Sequence, residues 1–278
     1  MAGRELGARV SENGRMSESQ AVPVVELPGD ATMPLVGFGT WKVTGDQVEP
    51  AVAAALAVGY RHIDTATMYG NEAEIGAALG ASDLDRAEVF VTTKIRPSDT
   101  GREPEVLRRS LRALRTEYLD LWLVHWPSRR SSERRRIWND MRKLRDDGLV
   151  KAIGVSNYSL AEIDELIEDS GETPAVNQIR WGPSHYDPDV VVGHKARGIV
   201  LEGYSGLKDS KAKDPVVTEI AAAHQVTAAQ VVLRWHLEHG ITVIPKSVHP
   251  ERIAENFDLF GFALSEAEVA RIDGLGNI

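Results

Sequence analysis

A closed (β/α)8 TIM barrel, with an N-terminal β-hairpin across its bottom, is the fold this sequence predicts on three observations. Short β-rich runs alternate with helical patterns along most of the chain, which means a parallel sheet. The length of 278 residues suits a barrel of roughly 250 residues plus a short extension. The usual open-sheet nucleotide signatures are missing: no G-x-G-x-x-G follows the first strand, and no G-x-x-x-x-G-K-[ST] occurs anywhere.

The elements follow in order. Residues 1–21 are polar, lack the apolar stretch of a signal peptide and read as a disordered tail, leaving 22–278 as one barrel domain. Val22 to Leu27 and Thr32 to Leu35 flank Pro28-Gly29-Asp30, a hairpin signal. Eight strand candidates come next. They are Val36 to Gly39, His62 to Asp64, Val89 to Lys94, Leu119 to His125, Ala152 to Ser156, Ala175 to Ile179, Ile199 to Tyr204 and Thr242 to Pro245. Helical stretches separate them. Gln47 to Val58 is rich in Ala, Val and Leu. Val106, Leu107, Leu111 and Leu114 share a helical spacing, as do Ile137, Trp138, Met141 and Leu144 within Ser131 to Asp147. Leu160 to Ile167 repeats the pattern and Val190 to Ala196 is weaker. Ala221 to Glu238 reads as two helices broken at Gln225-Val226-Thr227, with Thr227 as N-cap.

Composition narrows the function. A net charge of −9 argues against DNA or RNA as a main partner. The basic runs Arg129–Arg130 and Arg134–Arg136 read as a solvated loop and helix start. No apolar run approaches the ~20 residues of a membrane helix. The chain has no cysteine, so disulfides, thiolate metal sites and cysteine nucleophiles are impossible. A cytoplasmic monomer is the expectation.

The most informative pattern is positional. In barrels of this kind chemistry sits at the carboxyl ends of the strands. Seven of the eight runs end in a polar or ionisable residue: Asp64, Lys94, His125, Ser156-Asn157, Gln178, Tyr204-Ser205 and Lys246-Ser247. Asp64 and Lys94 on adjacent strands would form a buried ion pair, which is costly and suggests a task. Tyr69, five residues after Asp64, can loop over the same rim. A lysine ammonium beside it lowers a phenol pKa that is ordinarily ~10 and makes a proton donor for a carbonyl oxygen. His125 can hydrogen-bond the same oxygen. No metal site is evident. His236 and His239 have a His-x-x-His spacing but lack a Glu in the matching register.

These residues carry a resemblance. Gly59-Tyr60-Arg61-His62-Ile63-Asp64-Thr65-Ala66, followed by Tyr69-Gly70-Asn71-Glu72, is similar to the main signature of the aldo-keto reductases. Val91-Thr92-Thr93-Lys94, Tyr118 to Pro127, Ile153 to Asn157 and Val176-Asn177-Gln178 match further segments. So does Ile244-Pro245-Lys246-Ser247, with Arg252, Glu255 and Asn256 beyond it. The resemblance runs from about Val22 to Asp273, and the chain resembles the smaller bacterial, diketogluconate-reductase-like members most.

The resemblance implies NADPH-dependent reduction of an aldehyde or ketone. Asp64, Tyr69, Lys94 and His125 fall on the family's catalytic tetrad, with Tyr69 as general acid. Ser156, Asn157 and Gln178 fall where the nicotinamide carboxamide is held, and Tyr204 where a ring stacks on the nicotinamide. Ser205 and Leu207 fall at the pyrophosphate. Lys246, Ser247 and Arg252 fall at the 2′-phosphate, a dianion that two cations and a hydroxyl suit. Glu255 and Asn256 fall at the adenine end. Thr40 and Trp41 sit beside cofactor and substrate, and Trp41, Tyr69, His125 and Trp126 wall the substrate pocket. Gly70, Asn71 and Glu72 read as a tight turn, a helix N-cap and a dipole partner. Trp181 reads equally as pocket wall or core.

Three departures stand out. The stretch Ile179-Arg180-Trp181-Gly182-Pro183 has Gly where the family carries His. The loop Gly206 to Asp214 is short and lysine-rich, which implies faster cofactor exchange. The chain stops at Ile278, soon after the last helix, which implies an open pocket or a truncated chain. Two other readings compete: a cofactor-binding regulatory protein with vestigial catalysis, and a barrel hydrolase or isomerase. The intact tetrad argues against the first, and the lack of a metal cluster or nucleophile–base pattern argues against the second.

Overall fold

The computed structural model describes residues 22–29, 31–208 and 210–276. The tail expected over 1–21 lies outside the described residues, as do Asp30, Asp209 and residues 277–278. The hairpin is present: β1 (Val24–Leu27) pairs antiparallel with β2 (Ala31–Pro34), and Gly29 has the left-handed φ of 80° that such a turn needs. Leu27 and Met33 pack with Phe90 and Val176, the first residues of two barrel strands, and so close the bottom.

Eight parallel strands form the barrel wall in chain order. They are β3 (Phe38–Gly39), β4 (His62–Asp64), β5 (Phe90–Ile95), β6 (Leu119–Val124), β7 (Val150–Ser156), β8 (Val176–Arg180), β9 (Val200–Tyr204) and β10 (Thr242–Val243). The last meets the first through a parallel bridge between Val36 and Val243, with Gly37 N–H donating to Val243 O at 2.8 Å. Two strands, β3 and β10, are shorter than expected by two residues each. Before Phe38, only Val36 bridges. After Val243, Pro245 has no N–H to continue the ladder, although its carbonyl still accepts from Gly39 at 3.0 Å.

The helices are α1 (Val48–Val58), α2 (Glu72–Ala81), α3 (Glu103–Ala113), α4 (Ser131–Asp146) and α5 (Leu160–Ser170). They continue with α6 (Pro188–Ala196), α7 (Pro215–His224), α8 (Ala228–Glu238), α9 (Pro250–Phe257) and α10 (Glu266–Asp273). The periodic residues of α3 and α4 are buried as their spacing predicts. The α7–α8 break falls where expected: Gln225 has φ 57°, and Thr227 forms a capping box with Gln230. The Arg run on α4 needs one correction. Arg134 is buried and pairs with Glu165 on α5, whereas Arg135, which pairs with Asp169, and Arg136 are exposed as expected. Among the described residues, no single helix is long and apolar enough to cross a membrane.

The periodicity does not delimit three helices. α2 carries two glycines and little apolar contrast. α9 and α10 have eight residues each. Ser265 and Glu268, a capping box in the structure, are the sequence signal that could have marked α10.

Gly76 shows how tightly α2 packs on α3. A Cβ there would lie 2.2 Å from the Ala113 carbonyl oxygen and 2.7 Å from the Leu114 carbonyl carbon. Backbone atoms on both sides cannot yield as a side chain would. Gly76→Ala is therefore expected to destabilise by about 1–3 kcal/mol, although Ala alone favours a helix by about 1 kcal/mol. A urea melt measures this; an unchanged or raised midpoint would contradict the packing argument.

Candidate active site

The site forms where β4, β5 and β6 end. Asp64 is the last residue of β4, and Lys94 sits one residue before the end of β5. Lys94 is fully buried. Its Nζ donates to both Asp64 carboxylate oxygens at 2.7 Å and to Thr65 O at 2.8 Å. The same Nζ lies 3.5 Å from the Tyr69 hydroxyl.

Tyr69 arrives by a short path. A 3-10 turn over Thr67–Tyr69 carries it back over the rim, and Gly70, at φ 70°, lets the chain enter α2. Thr67 Oγ1 donates to Lys94 O at 3.0 Å and pins the turn. Asn71 occupies the N-cap position of α2, but its side chain caps nothing. It accepts from Thr65 Oγ1 at 2.8 Å and donates to Thr40 O and Val43 O at 3.0 Å, tying the β3 and β4 loops together. Glu72 is buried and accepts from Thr93 Oγ1 at 2.7 Å, so its role is a core hydrogen bond rather than a dipole contact alone.

His125 follows β6. Its ring meets Tyr69 edge-on at 5.7 Å between centroids and stacks on Trp126 at 6.2 Å. Burial first, and then the Lys94 charge, push its pKa down to about 3, so the ring is neutral and keeps one N–H to donate.

One electrostatic expectation holds only in part: Lys94 lowers the Tyr69 pKa as expected, but the net shift is upward. Burial raises the Tyr69 pKa by more than the Lys94 charge lowers it, and Asp64 raises it further. The net pKa lies above the ordinary tyrosine value, chiefly because the phenol is buried, with the Asp64 carboxylate adding to the effect. Tyr69 therefore holds its proton firmly. For Lys94, burial favours loss of the proton, but Asp64 and then Tyr69 oppose this and the net pKa is raised.

A cavity of about 350 Å³ lies over these groups. Of the residues expected at the site, Trp41, Asp64, Tyr69, His125, Trp126, Ser156, Asn157, Gln178, Tyr204, Ser205, Leu207 and Lys246 line it. Trp41 and Trp126 are 45% and 47% exposed, so they are walls and not core. Trp181 is core: it is 2% exposed and stacks on Trp235. Thr40 is not on the wall either. It is fully buried, and its hydroxyl donates to Asp64 O at 2.9 Å. Ser247, Arg252, Glu255 and Asn256 lie beyond the wall, on the loop before α9 and on α9 itself. Glu255 accepts from Thr227 Oγ1 at 2.9 Å.

The strand ends opposite the tetrad are knitted together. Ser156 Oγ donates to Gln178 O at 2.8 Å, Asn157 Nδ2 donates to His125 O at 3.1 Å, and the Tyr204 hydroxyl donates to Asn157 Oδ1 at 2.7 Å. Asn157 and Ser205 both sit at left-handed φ, 63° and 60°, a strained setting for non-glycine residues that gathers at functional rims.

The sequence reading missed several wall residues: Met68, Gly203, Gly206, Lys208 and His236. Met68 lies inside the signature and could have been named from it. His236 faces the cavity while His239 bonds Asp273, so the two rings serve different places. Lys208, Lys246 and Arg252 form no ion pair among the described residues, whereas the one carboxylate on the wall, Asp64, is neutralised by Lys94. The donor set suits an anionic ligand.

The sequence profile described as "Aldo/keto reductase family" matches residues 35–277. The chain is 42% identical to morphine 6-dehydrogenase of Pseudomonas putida over 91% of both chains. It is 40% identical to methylglyoxal reductase DkgA of Salmonella typhimurium, over 90% of this chain and 92% of that one. It also superposes, with a TM-score of 0.86 and 31% identity, on the crystal structure of a Bombyx mori aldo-keto reductase in complex with NADP. That match covers 92% of this chain and 94% of that one.

Proposed function

The chain belongs to the aldo/keto reductase family, and from that membership we propose that it is an NADP-dependent oxidoreductase that reduces a small aldehyde or ketone to the alcohol. The NADP held by the Bombyx mori relative supports the cofactor. The residues here fit it. Lys246 and Arg252, with Ser247 between them, can take a 2′-phosphate, and NAD has only a hydroxyl at that place. Tyr204 presents a half-buried ring to the cavity for a planar group, and Lys208 can meet the pyrophosphate beside Ser205 and Leu207. Ser156, Asn157 and Gln178 would hold the carboxamide, and Glu255 and Asn256 the adenine end. Thr40 supports this wall from behind.

One observation carries the reading: Lys94 holds Asp64 with two 2.7 Å contacts while lying 3.5 Å from Tyr69. When bound, the reduced nicotinamide supplies a hydride to the carbonyl carbon. The protein supplies the proton. The Tyr69 hydroxyl gives it to the carbonyl oxygen as that oxygen becomes negative, and the phenolate left behind recovers a proton from solvent. Lys94 stabilises that phenolate, Asp64 fixes Lys94, and neutral His125 orients the carbonyl oxygen. Trp41, Met68 and Trp126 make an apolar mouth for the rest of the substrate. The reading includes a cytoplasmic monomer, with which a cysteine-free chain is compatible.

The test follows NADPH consumption by absorbance over a panel of aldehydes and diketones, with NADH alongside. Turnover that prefers NADPH is expected; none on any carbonyl, despite NADPH binding, would favour a regulatory protein. The double substitution Lys246→Ala, Arg252→Ala should raise KM for NADPH by about 10²–10⁴-fold, since each of the two charged hydrogen bonds contributes roughly 1.5–3 kcal/mol. KM for NADH should barely move. Equal losses with both cofactors would remove these residues from the 2′-phosphate site.

A further inference from the structure

Glu202 is a charge in the barrel interior that the proposed reduction does not use. It lies on β9, is fully buried, and interrupts an otherwise apolar strand. Its Oε2 accepts from Gln178 Nε2 at 2.9 Å, and that nitrogen also donates to Asp64 Oδ2 at 2.9 Å. One amide thus bridges two carboxylates across the barrel, and the second of them is the one that holds Lys94. A continuous chain runs Glu202, Gln178, Asp64, Lys94, Tyr69. Glu202 Oε1 has no hydrogen-bond partner, and His62 Nε2 lies 3.7 Å from it.

We propose that Glu202 is a positioning residue for the carbonyl reduction: through the Gln178 bridge, its carboxyl decides how much of the Lys94 charge is available to the Tyr69 phenol. The inference rests on the carbonyl-reductase reading of the site.

The charges around Glu202 are few. On β4, His62 is held neutral, its pKa pushed down to about 3 mainly by burial. On α8, His236 packs on the neighbouring Gly203 and is neutral for the same reason, at about 4. β10 offers Thr242 opposite Glu202, which does not titrate. That leaves Asp64 and Lys94. One cation cannot fully balance two buried carboxylates, so burial first and Asp64 second push the Glu202 pKa up to about 8. Below that pH Glu202 is a neutral acid, and Lys94 faces one anion. Above it, a second anion joins Asp64, and the phenol at the far end holds its proton more tightly. Because the Tyr69 pKa is itself raised, Tyr69 ionises with Glu202 already charged.

The test is a phenolate titration by ultraviolet difference absorbance. Each protein is compared with its own Tyr69→Phe counterpart, without cofactor or substrate. Glu202→Gln keeps the acceptor for Gln178 and removes the charge. It should lower the apparent Tyr69 pKa by about one unit, the order expected of one uncompensated buried charge a few side chains away. Glu202→Asp restores a carboxyl and should return the curve toward wild type, which a merely structural role would not do. Coincident wild-type and Glu202→Gln curves would overturn the proposal, as would a Glu202→Asp curve that follows Glu202→Gln. The titration needs no turnover. Shifted curves with no carbonyl reduction would sink the functional reading and leave this coupling standing; coincident curves in an active reductase would sink this inference alone.

Discussion

Replacing Tyr69 with phenylalanine is expected to lower kcat for carbonyl reduction by roughly 10²–10⁴-fold while leaving the fold intact, the range that a positioned general acid contributes. The phenyl ring keeps the edge-on contact with His125. Only the hydroxyl near Lys94 is lost. The pH dependence gives a second signature. Because burial raises the Tyr69 pKa, the protonated form needed for reduction persists through neutral pH and is lost only above the ordinary tyrosine range. Reduction should therefore decline as pH rises through that value, and alcohol oxidation, which needs the phenolate, should rise. Steady-state rates in both directions across an alkaline series measure this. A Tyr69→Phe enzyme within tenfold of wild type would remove Tyr69 from the proton transfer.

The Asp64–Lys94 pair should produce the largest stability effects. Both groups are buried, and Lys94 donates to both carboxylate oxygens. Lys94→Met leaves a carboxylate in the barrel with only the Gln178 amide to meet it, and Asp64→Asn leaves an ammonium without its counter-ion. Each single change should destabilise by about 3–5 kcal/mol, because one charge is then buried uncompensated. The double variant removes both charges and should recover most of that loss, since a buried pair contributes little net stability over neutral groups. Turnover should not return, because the cation beside Tyr69 is gone. Urea denaturation gives the three stabilities. A double variant no more stable than the singles would mean that the pair is not the electrostatic unit described here.

The barrel was legible from alternation and length, and each strand lies within a few residues of its predicted run. The misses have local causes. α2 is built on alanine and glycine, whose contrast is too low to show a stripe, and its packing depends on the missing Cβ of Gly76. α9 and α10 are too short for periodicity. At the site, Asp64, Tyr69, Lys94 and His125 were readable because each ionisable group ends or follows an apolar strand. Glu202 was not, although it too breaks an apolar strand, because it stands before the strand end rather than at it.

The sequence by itself determined the order of elements, the rim that bears the chemistry and the identity of its acid, cation and imidazole. These follow from local periodicity and from polar residues placed where a core would exclude them. Only the tertiary structure decided the balance of charge. Whether the Tyr69 pKa ends below or above its ordinary value depends on how far water is excluded and on what else Lys94 touches, and both are set by residues distant in the chain. Asp64 and Gln178 lie 114 positions apart, yet they meet at 2.9 Å across the barrel. In a low-dielectric interior such contacts outweigh sequence neighbours, so the working protonation state belongs to the fold rather than to any motif.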